Sequence, residues 1–300
     1  MKINYTNIMD EKYSDEMYFD RSVYIVLAII LVIICYCIYI YLFKNYDKTP
    51  IELINIVKNN ANIDNVNYIN GVPEIVYICW FGETISKNRL DGLKTLINNI
   101  KIPYLLITDD NVYDYQVSGE PYHKCFKYLS GNHKSDYIRS YMLHHYGGAY
   151  HDIKYRYSDW IGQWTDFNDN NIWIKTRPER YPSWVGYDID NPSTKWIQSK
   201  YNELGTMGWV ICRPRTPYTG ELLDKINKTL NKHENNLTKN PSIKSGGYYS
   251  DKPFDKVYDP TNMYPMRWLE LMGEHYHLLM YKYKDHLIFG LPDADEKYYK

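Results

Sequence analysis

The sequence predicts a single α/β domain standing behind one membrane-crossing helix. Three observations carry that expectation. An uncharged apolar run occupies Ser22–Phe43, a strand–helix–strand succession starts at Val72, and the composition is globular, with 44% hydrophobic and 24% charged residues. Lys plus Arg number 35 against 36 Asp plus Glu, a formal net charge of −1. That balance excludes a nucleic-acid binder working through a strong positive field. The excess of Tyr, 34 residues, accompanies many Asn, Ile and Lys; all four use A/T-rich codons, so it reflects coding bias before function.

Taken in order, residues 1–21 form a short tail. The run SVYIVLAIILVIICYCIYIYLF, residues 22–43, rises about 33 Å as a helix, enough for a hydrocarbon core of about 30 Å. It is apolar around its whole circumference and no small-x-small cleavage site follows, so an uncleaved single span is expected. Lys12 and Arg21 on one side balance Lys44, Lys48 and Lys58 on the other, and the positive-inside rule sets no orientation. Residues 44–70 are polar and Asn-rich and suit a stem. The folded domain is expected over 71–300, long enough for one sizeable core. Five Cys, at 35, 37, 79, 125 and 212, match no zinc or CxxC spacing, so an ordinary core must hold the fold.

Within that domain, Val72–Phe81 (VPEIVYICWF) reads as a buried strand, with Pro73 at its tolerated first position. Leu90, Leu93, Ile97 and Ile100 set a helix, and Pro103–Thr108 (PYLLIT) a second strand, which together make a parallel βαβ start. Asn171–Thr176 and Gly208–Arg213 read as further strands. Leu222, Leu223, Ile226 and Leu230 mark a helix, and Met266–Tyr281 another.

The densest signal is Lys134–Arg156, KSDYIRSYMLHHYGGAYHDIKYR. A helix capped by Ser135 or Asp136 runs to Tyr146, with Ile138, Tyr141, Met142 and His145 on its apolar stripe and Asp136, Arg139 and Leu143 on another face. Gly147 and Gly148 stop it. A strand over 149–157 then places Tyr150, Asp152 and Lys154 on one side, and His151 and Ile153 on the other. Two carboxylates and two cations converge at one sheet edge. Asp136 and Arg139 taken alone read as an i,i+3 surface ion pair worth a few tenths of a kcal/mol.

Ser135, Asp136, Arg139, Leu143, Gly147, Gly148, Tyr150 and Asp152 match an SDxxRxxxLxxxGGxYxDxD pattern. The segment resembles GT-A sugar transferases related to capsular polysaccharide synthesis proteins and the initiating mannosyltransferases of glycosyltransferase family 32. The upstream IVYICWFG and the later GWVICRP are similar to their first and acceptor-side strands, so the resemblance spans roughly residues 72–290. It implies a single GT-A (Rossmann-like) catalytic domain with a mixed sheet, a UDP- or GDP-linked sugar donor, a glycan or polysaccharide acceptor, a divalent cation, usually Mn²⁺, and transfer with retained configuration. It implies hexosyl transfer, with Asp136, Arg139 and Asp152 catalytic and Trp80, Asp152 and Lys154 at the donor. It further implies a membrane protein whose domain faces a Golgi-like or endoplasmic-reticulum-like lumen in a eukaryotic setting.

One departure stands out. Asp152-Ile153-Lys154 occupies the DxD position, and an ammonium cannot ligate a cation. Three outcomes follow: Lys154 neutralises the diphosphate itself; Asp159, His151 or His286 completes a metal site with Asp152; or the chain keeps the fold as a sugar-binding scaffold without catalysis. Two other classes compete. His133, His144, His145 and the His151-Asp152 pair suggest an HD-type metal phosphohydrolase, although those enzymes place their ligands on helices. A dinucleotide oxidoreductase is disfavoured because no GxGxxG follows the first strand. Asp109 and Asp110 read as solvated strand ends, and the sequons at Asn227 and Asn236 are common in an Asn-rich chain.

Overall fold

The computed structural model describes residues 23–38, 65–82, 85–186, 192–242 and 264–295. Residues 23–38 form helix α1, every side chain of which is exposed. They belong to a unit of their own, residues 1–49, apart from the body of the chain. Residue 22 and residues 39–43 of the expected span, like the tail and most of the stem, lie outside the described residues. Among the described residues no helix is long and apolar enough to cross a membrane.

The body begins earlier than Gly71. Strands β1 (Tyr68–Ile69) and β2 (Val72–Pro73) pair antiparallel around Asn70 (φ 46°) and Gly71 (φ 79°). Two successive left-handed residues make the hairpin turn that an Asn-Gly pair favours. The Asn70 side chain also donates to the Phe167 carbonyl at 3.1 Å, tying this hairpin to the domain.

The main sheet contains β3 (Val76–Cys79), β4 (Tyr104–Ile107), β5 (Gly148–His151), β6 (Ile174–Thr176), β7 (Trp209–Cys212) and β8 (Leu287–Phe289), in the order β4-β3-β5-β7-β6-β8. β3 is parallel to both β4 and β5, β7 runs antiparallel to β5 and β6, and β8 is parallel to β6. The sheet is mixed, as expected. Every residue of β3, β4, β5 and β7 is buried, the mark of strands covered on both faces.

Alternation divides the core in two. Tyr77, Cys79, Tyr150, Val210 and Cys212 face helices α3 (Gly131–His145), α5 (Pro217–Lys239) and α6 (Gly273–Lys282). Val76, Ile78, Ala149, Trp209 and Ile211 face helix α2 (Lys87–Asn99) and the indoles of Trp160 and Trp164. The short helix α4 (Thr194–Ser199) lies in the β6–β7 connection. Two helix starts differ from expectation. Helix α3 starts a turn earlier, because the Ser130 hydroxyl, not Ser135 or Asp136, accepts from the His133 amide at 3.4 Å. Helix α6 starts at Gly273 rather than Met266, after turns at 268–272.

Gly147 and Gly148 do more than stop α3. Their φ values are 73° and 90°, and a Cβ on Gly148 would sit 2.9 Å from Ile75 Cγ2. A Cβ on Gly147 would sit 2.9 Å from the Pro214 nitrogen. This close approach lets β5 slot between β3 and β7. Gly148→Ala should cost roughly 2–4 kcal/mol from left-handed strain and overpacking. Denaturant titration checks this; a midpoint equal to wild type would show that the approach is not tight.

Candidate functional site

The chain passes from β3 through α2 to β4 on one side, then returns through α3 to β5 on the other. Strand order therefore reverses at β3, and the crevice beyond the carboxyl ends of β3 and β5 is where ligands bind in open α/β sheets. A cleft of about 330 Å³ opens there. Its walls include Trp80 after β3, Arg89 on α2, Asp136 and Arg139 on α3, Tyr150 and Asp152 at the end of β5, and Trp268 and Met272 before α6.

Starting α3 at Gly131 puts Asp136 and Arg139 in its second and third turns, facing the cleft instead of solvent. Both are buried, 6% and 7% exposed, which overturns the surface-pair expectation. One Arg139 nitrogen, Nη2, donates to Asp136 Oδ1, and Nη1 donates to the Met207 carbonyl. The guanidinium carbon lies 4.4 Å from the Tyr150 ring centroid, a cation–π distance. The Tyr150 hydroxyl donates to Asp152 Oδ1 at 2.9 Å. Arg139 Nε is buried without a hydrogen-bond partner, an uncommon state for a buried donor. Two carboxylates are thus linked through one cation and one phenol.

Charge follows from burial and neighbours. Burial works against the Arg139 charge, but Tyr150, Asp136 and Asp152 outweigh it and hold the guanidinium protonated. Burial also lifts the Asp136 carboxyl, while Arg139 and His133 pull it down. Tyr150 is pushed well up by burial and then by Asp152, so it keeps its proton and remains a donor.

The expected strand over 149–157 ends at His151. Ile153 turns into the α2-side core and Tyr155 keeps only an isolated bridge to Asp295. Asp152 leaves the strand with its amide donating to the Gly208 carbonyl at 2.7 Å. Lys154 still reaches the same place. A Cβ on Gly208 would lie 3.3 Å from Asp152 Oδ2 and 3.4 Å from Lys154 Nζ. Acid and cation therefore flank the spot that this glycine leaves empty, and Lys154 Nζ also lies 5.0 Å from the Trp209 ring centroid.

Other expected site residues lie elsewhere. His286 precedes β8, and the register Leu287–Ile174–Cys212–Gly148 carries it to the amino end of β5, opposite the cleft. Its ring stacks on Trp173 at 3.5 Å and Nδ1 meets the Asn171 carbonyl at 2.7 Å. The structure does not bring His286 to Asp152. His151 is buried on the opposite sheet face, accepts from Arg156 Nε on Nε2 and contacts the Asp152 carbonyl through Nδ1, so neither nitrogen is open to a metal. Asp159 is exposed and caps its own turn at the Ile161 amide. His133 bonds Tyr264, and His144 bonds Thr219. Among the described residues no three His, Cys, Asp or Glu gather to hold a metal, which removes the geometric basis for the phosphohydrolase reading. Asp109 is not simply solvated; it pairs with Lys134 at 2.6 Å. Asn227 and Asn236 lie inside α5, a helical setting and not a loop.

A divalent cation fits this donor set poorly. Asp152 Oδ1 is taken by Tyr150, Asp136 is taken by Arg139, and Asp152 Oδ2 and the Lys154 ammonium approach the same spot beside Gly208. Sequence reasoning gave Gly208, Arg89 and Met207 no role in the site; they lie outside the central motif, and Gly208 showed only as the first residue of GWVICRP.

Residues 58–171 match the family model described as "Glycosyltransferase sugar-binding region containing DXD motif". That region contains Trp80, Arg89, Asp136, Arg139, Tyr150, Asp152 and Lys154. The match agrees with the glycosyltransferase resemblance of the central segment, and families of that description commonly hold a divalent cation. A solved structure titled "PaToxG Glycosyltransferase" is 12% identical, with 70% of this chain and 69% of that chain covered, at a TM-score of 0.37. A likeness that loose decides nothing about activity. No curated protein matches.

Two outcomes are expected here. Arg139→Met should cost about 3–5 kcal/mol by stranding the buried Asp136, and adding Asp136→Leu should recover much of that loss; chemical denaturation of both variants reads it. Glu270, in the turn that carries Trp268 into the cleft wall, accepts from His233 at 2.7 Å and from the Arg267 amide at 3.0 Å. Burial would raise its pKa, but these partners lower it from 4.5 to about 2. A depressed carboxylate stabilises above its unfolded value, so this wall should loosen as pH falls from about 4.5 to about 2. Amide exchange over 266–272 should rise in that window for wild type and be insensitive to it in Glu270→Gln.

Proposed function

We propose that the chain is a membrane-anchored glycosyltransferase moving a hexose from a UDP- or GDP-sugar to a glycan or polysaccharide acceptor with retained configuration. The observation that carries this reading is the chain from buried Asp136, Arg139 and Tyr150 to half-buried Asp152 at the strand-reversal crevice, inside the matched region. In the transfer, the bond between the anomeric carbon and the diphosphate oxygen breaks and its electron pair stays on the diphosphate. The acceptor hydroxyl oxygen then bonds to the anomeric carbon, and its proton passes to the departing diphosphate oxygen. Catalysis needs positive charge held ready for the departing oxygens, and low dielectric enlarges its effect.

Lys154 takes that task in this reading, because its Nζ and Asp152 Oδ2 both approach the spot that Gly208 leaves empty. Asp152 orients the donor through Oδ2, and Trp80 stacks on the base. Asp136 and Arg139 hold the sugar. A helix of exposed apolar residues at 23–38, within an uncharged run of 22 residues, supports the anchor. A domain facing a Golgi-like or endoplasmic-reticulum-like lumen follows in a eukaryotic setting. A second reading, a sugar-binding scaffold without turnover, is favoured only by Lys154 at the DxD position.

The test is a panel of UDP- and GDP-sugars offered to the full chain, with released nucleotide measured with and without Mn²⁺. Release without metal is expected. An absolute Mn²⁺ requirement would refute the role of Lys154, and binding without release would establish the scaffold. Asp152→Asn should lower release on the order of 100-fold or more with the fold kept. Lys154→Asp should convert release to Mn²⁺ dependence.

A further inference from the structure

We infer that an exposed aromatic ridge on the β6–β7 connection is a subsite for a neutral glycan chain, the extended acceptor of the transfer proposed above, on which this inference rests. Tyr181, Trp184 and Trp196 are 54%, 37% and 47% exposed, far more than burial of aromatics would allow by default. Tyr181 and Trp184 meet edge to face at 4.8 Å, and Trp196 meets Tyr281 the same way at 4.9 Å. Helix α4, which carries Trp196, packs against the turn Pro182–Trp184, so the two pairs belong to one surface.

The rings are held outward by built supports. Val185 and Ile197, each next to an exposed Trp, are 1% exposed and pin their segments into the core. Several charges around the ridge are engaged with one another, although Lys195 beside Trp196 is exposed. Asp293 takes both Arg177 and Arg180, and Glu203 takes both Lys200 and Lys284. Aromatic faces between mutually engaged charges suit the C–H face of a neutral pyranose, whose hydroxyls remain in water, better than an anionic surface.

Position makes the ridge an extension of the cleft. Gly186, two residues after Trp184, approaches Gly273 so closely that a Cβ on it would lie 2.3 Å from the Gly273 carbonyl oxygen. Gly273 itself lines the cleft. The Gly186 amide also donates to His277 Nδ1 at 2.7 Å, locking the segment in place. Two residues of chain span at most about 7 Å, so the Trp184 backbone stands within a sugar or two of the cleft wall. A glycan whose end enters the cleft runs outward along Trp184 and Tyr181 toward Trp196.

The experiment measures retardation of the full chain in native gels containing soluble α-glucan, β-glucan or mannan, alongside acceptor-free donor hydrolysis. At least one polymer should retard the wild type. Trp184→Ala should weaken binding on the order of tenfold and Trp184→Ala with Trp196→Ala further, while Trp184→Phe keeps most of it. Donor hydrolysis should be unchanged in all three. No retardation of the wild type, equal retardation of the variants, or loss of hydrolysis in Trp184→Ala would overturn the subsite. So would sedimentation showing that the ridge holds a second copy of the chain while glycan binding is unaffected by its loss. Absence of hydrolysis in the wild type would instead strike the transferase reading, which keeps the two failures distinct.

Discussion

The site depends on keeping one guanidinium charged where water is scarce. Arg139 is almost fully buried, and a charge there is stable only because carboxylate, carbonyl and aromatic face are arranged around it. Each partner comes from a different element: Asp136 from α3, Met207 from the approach to β7, and Tyr150 from β5. Satisfying the charge therefore fixes α3 against the sheet and holds the loop before β7 near its end. The same contacts that settle the arginine shape the cleft, so stability and site geometry are one constraint here.

Much of the architecture was legible in one dimension because apolar periodicity is a local signal. Helix α2, β4, the Gly-Gly stop and β7 fell where Leu90–Ile100, PYLLIT, Gly147–Gly148 and GWVICR placed them. The single strand expected over Val72–Phe81 instead divides into β2 and β3, which belong to different sheets. Capping was less legible. Three candidate cap residues lie within seven positions, and only tertiary packing selects Ser130 over Ser135 and Asp136. Extension of β5 through Tyr157 failed because a strand lasts only while a neighbour supplies a ladder, and no pattern within the segment records where β3 and β7 end.

The site was legible as chemistry and partly illegible as geometry. Asp136, Arg139 and Asp152 stood out through their spacing, and they share the cleft with Trp80. Tyr150 was visible as a strand position and a match to the pattern but with no role of its own, yet its hydroxyl links the two halves of the site. His286 illustrates the reverse error. Its chemistry suits a metal, but parallel pairing of β8 with β6 carries it to the other end of the sheet. Residue type says what a side chain can do, and strand direction decides whether it arrives.

Gly208 carries the least visible consequence. It belongs to β7's approach, more than fifty positions downstream of Asp152, and has no side chain with which to advertise a role. Yet a single methyl group there would press on an acidic oxygen and an ammonium nitrogen at once, so the vacancy of this one position governs how two charges of opposite sign are spaced.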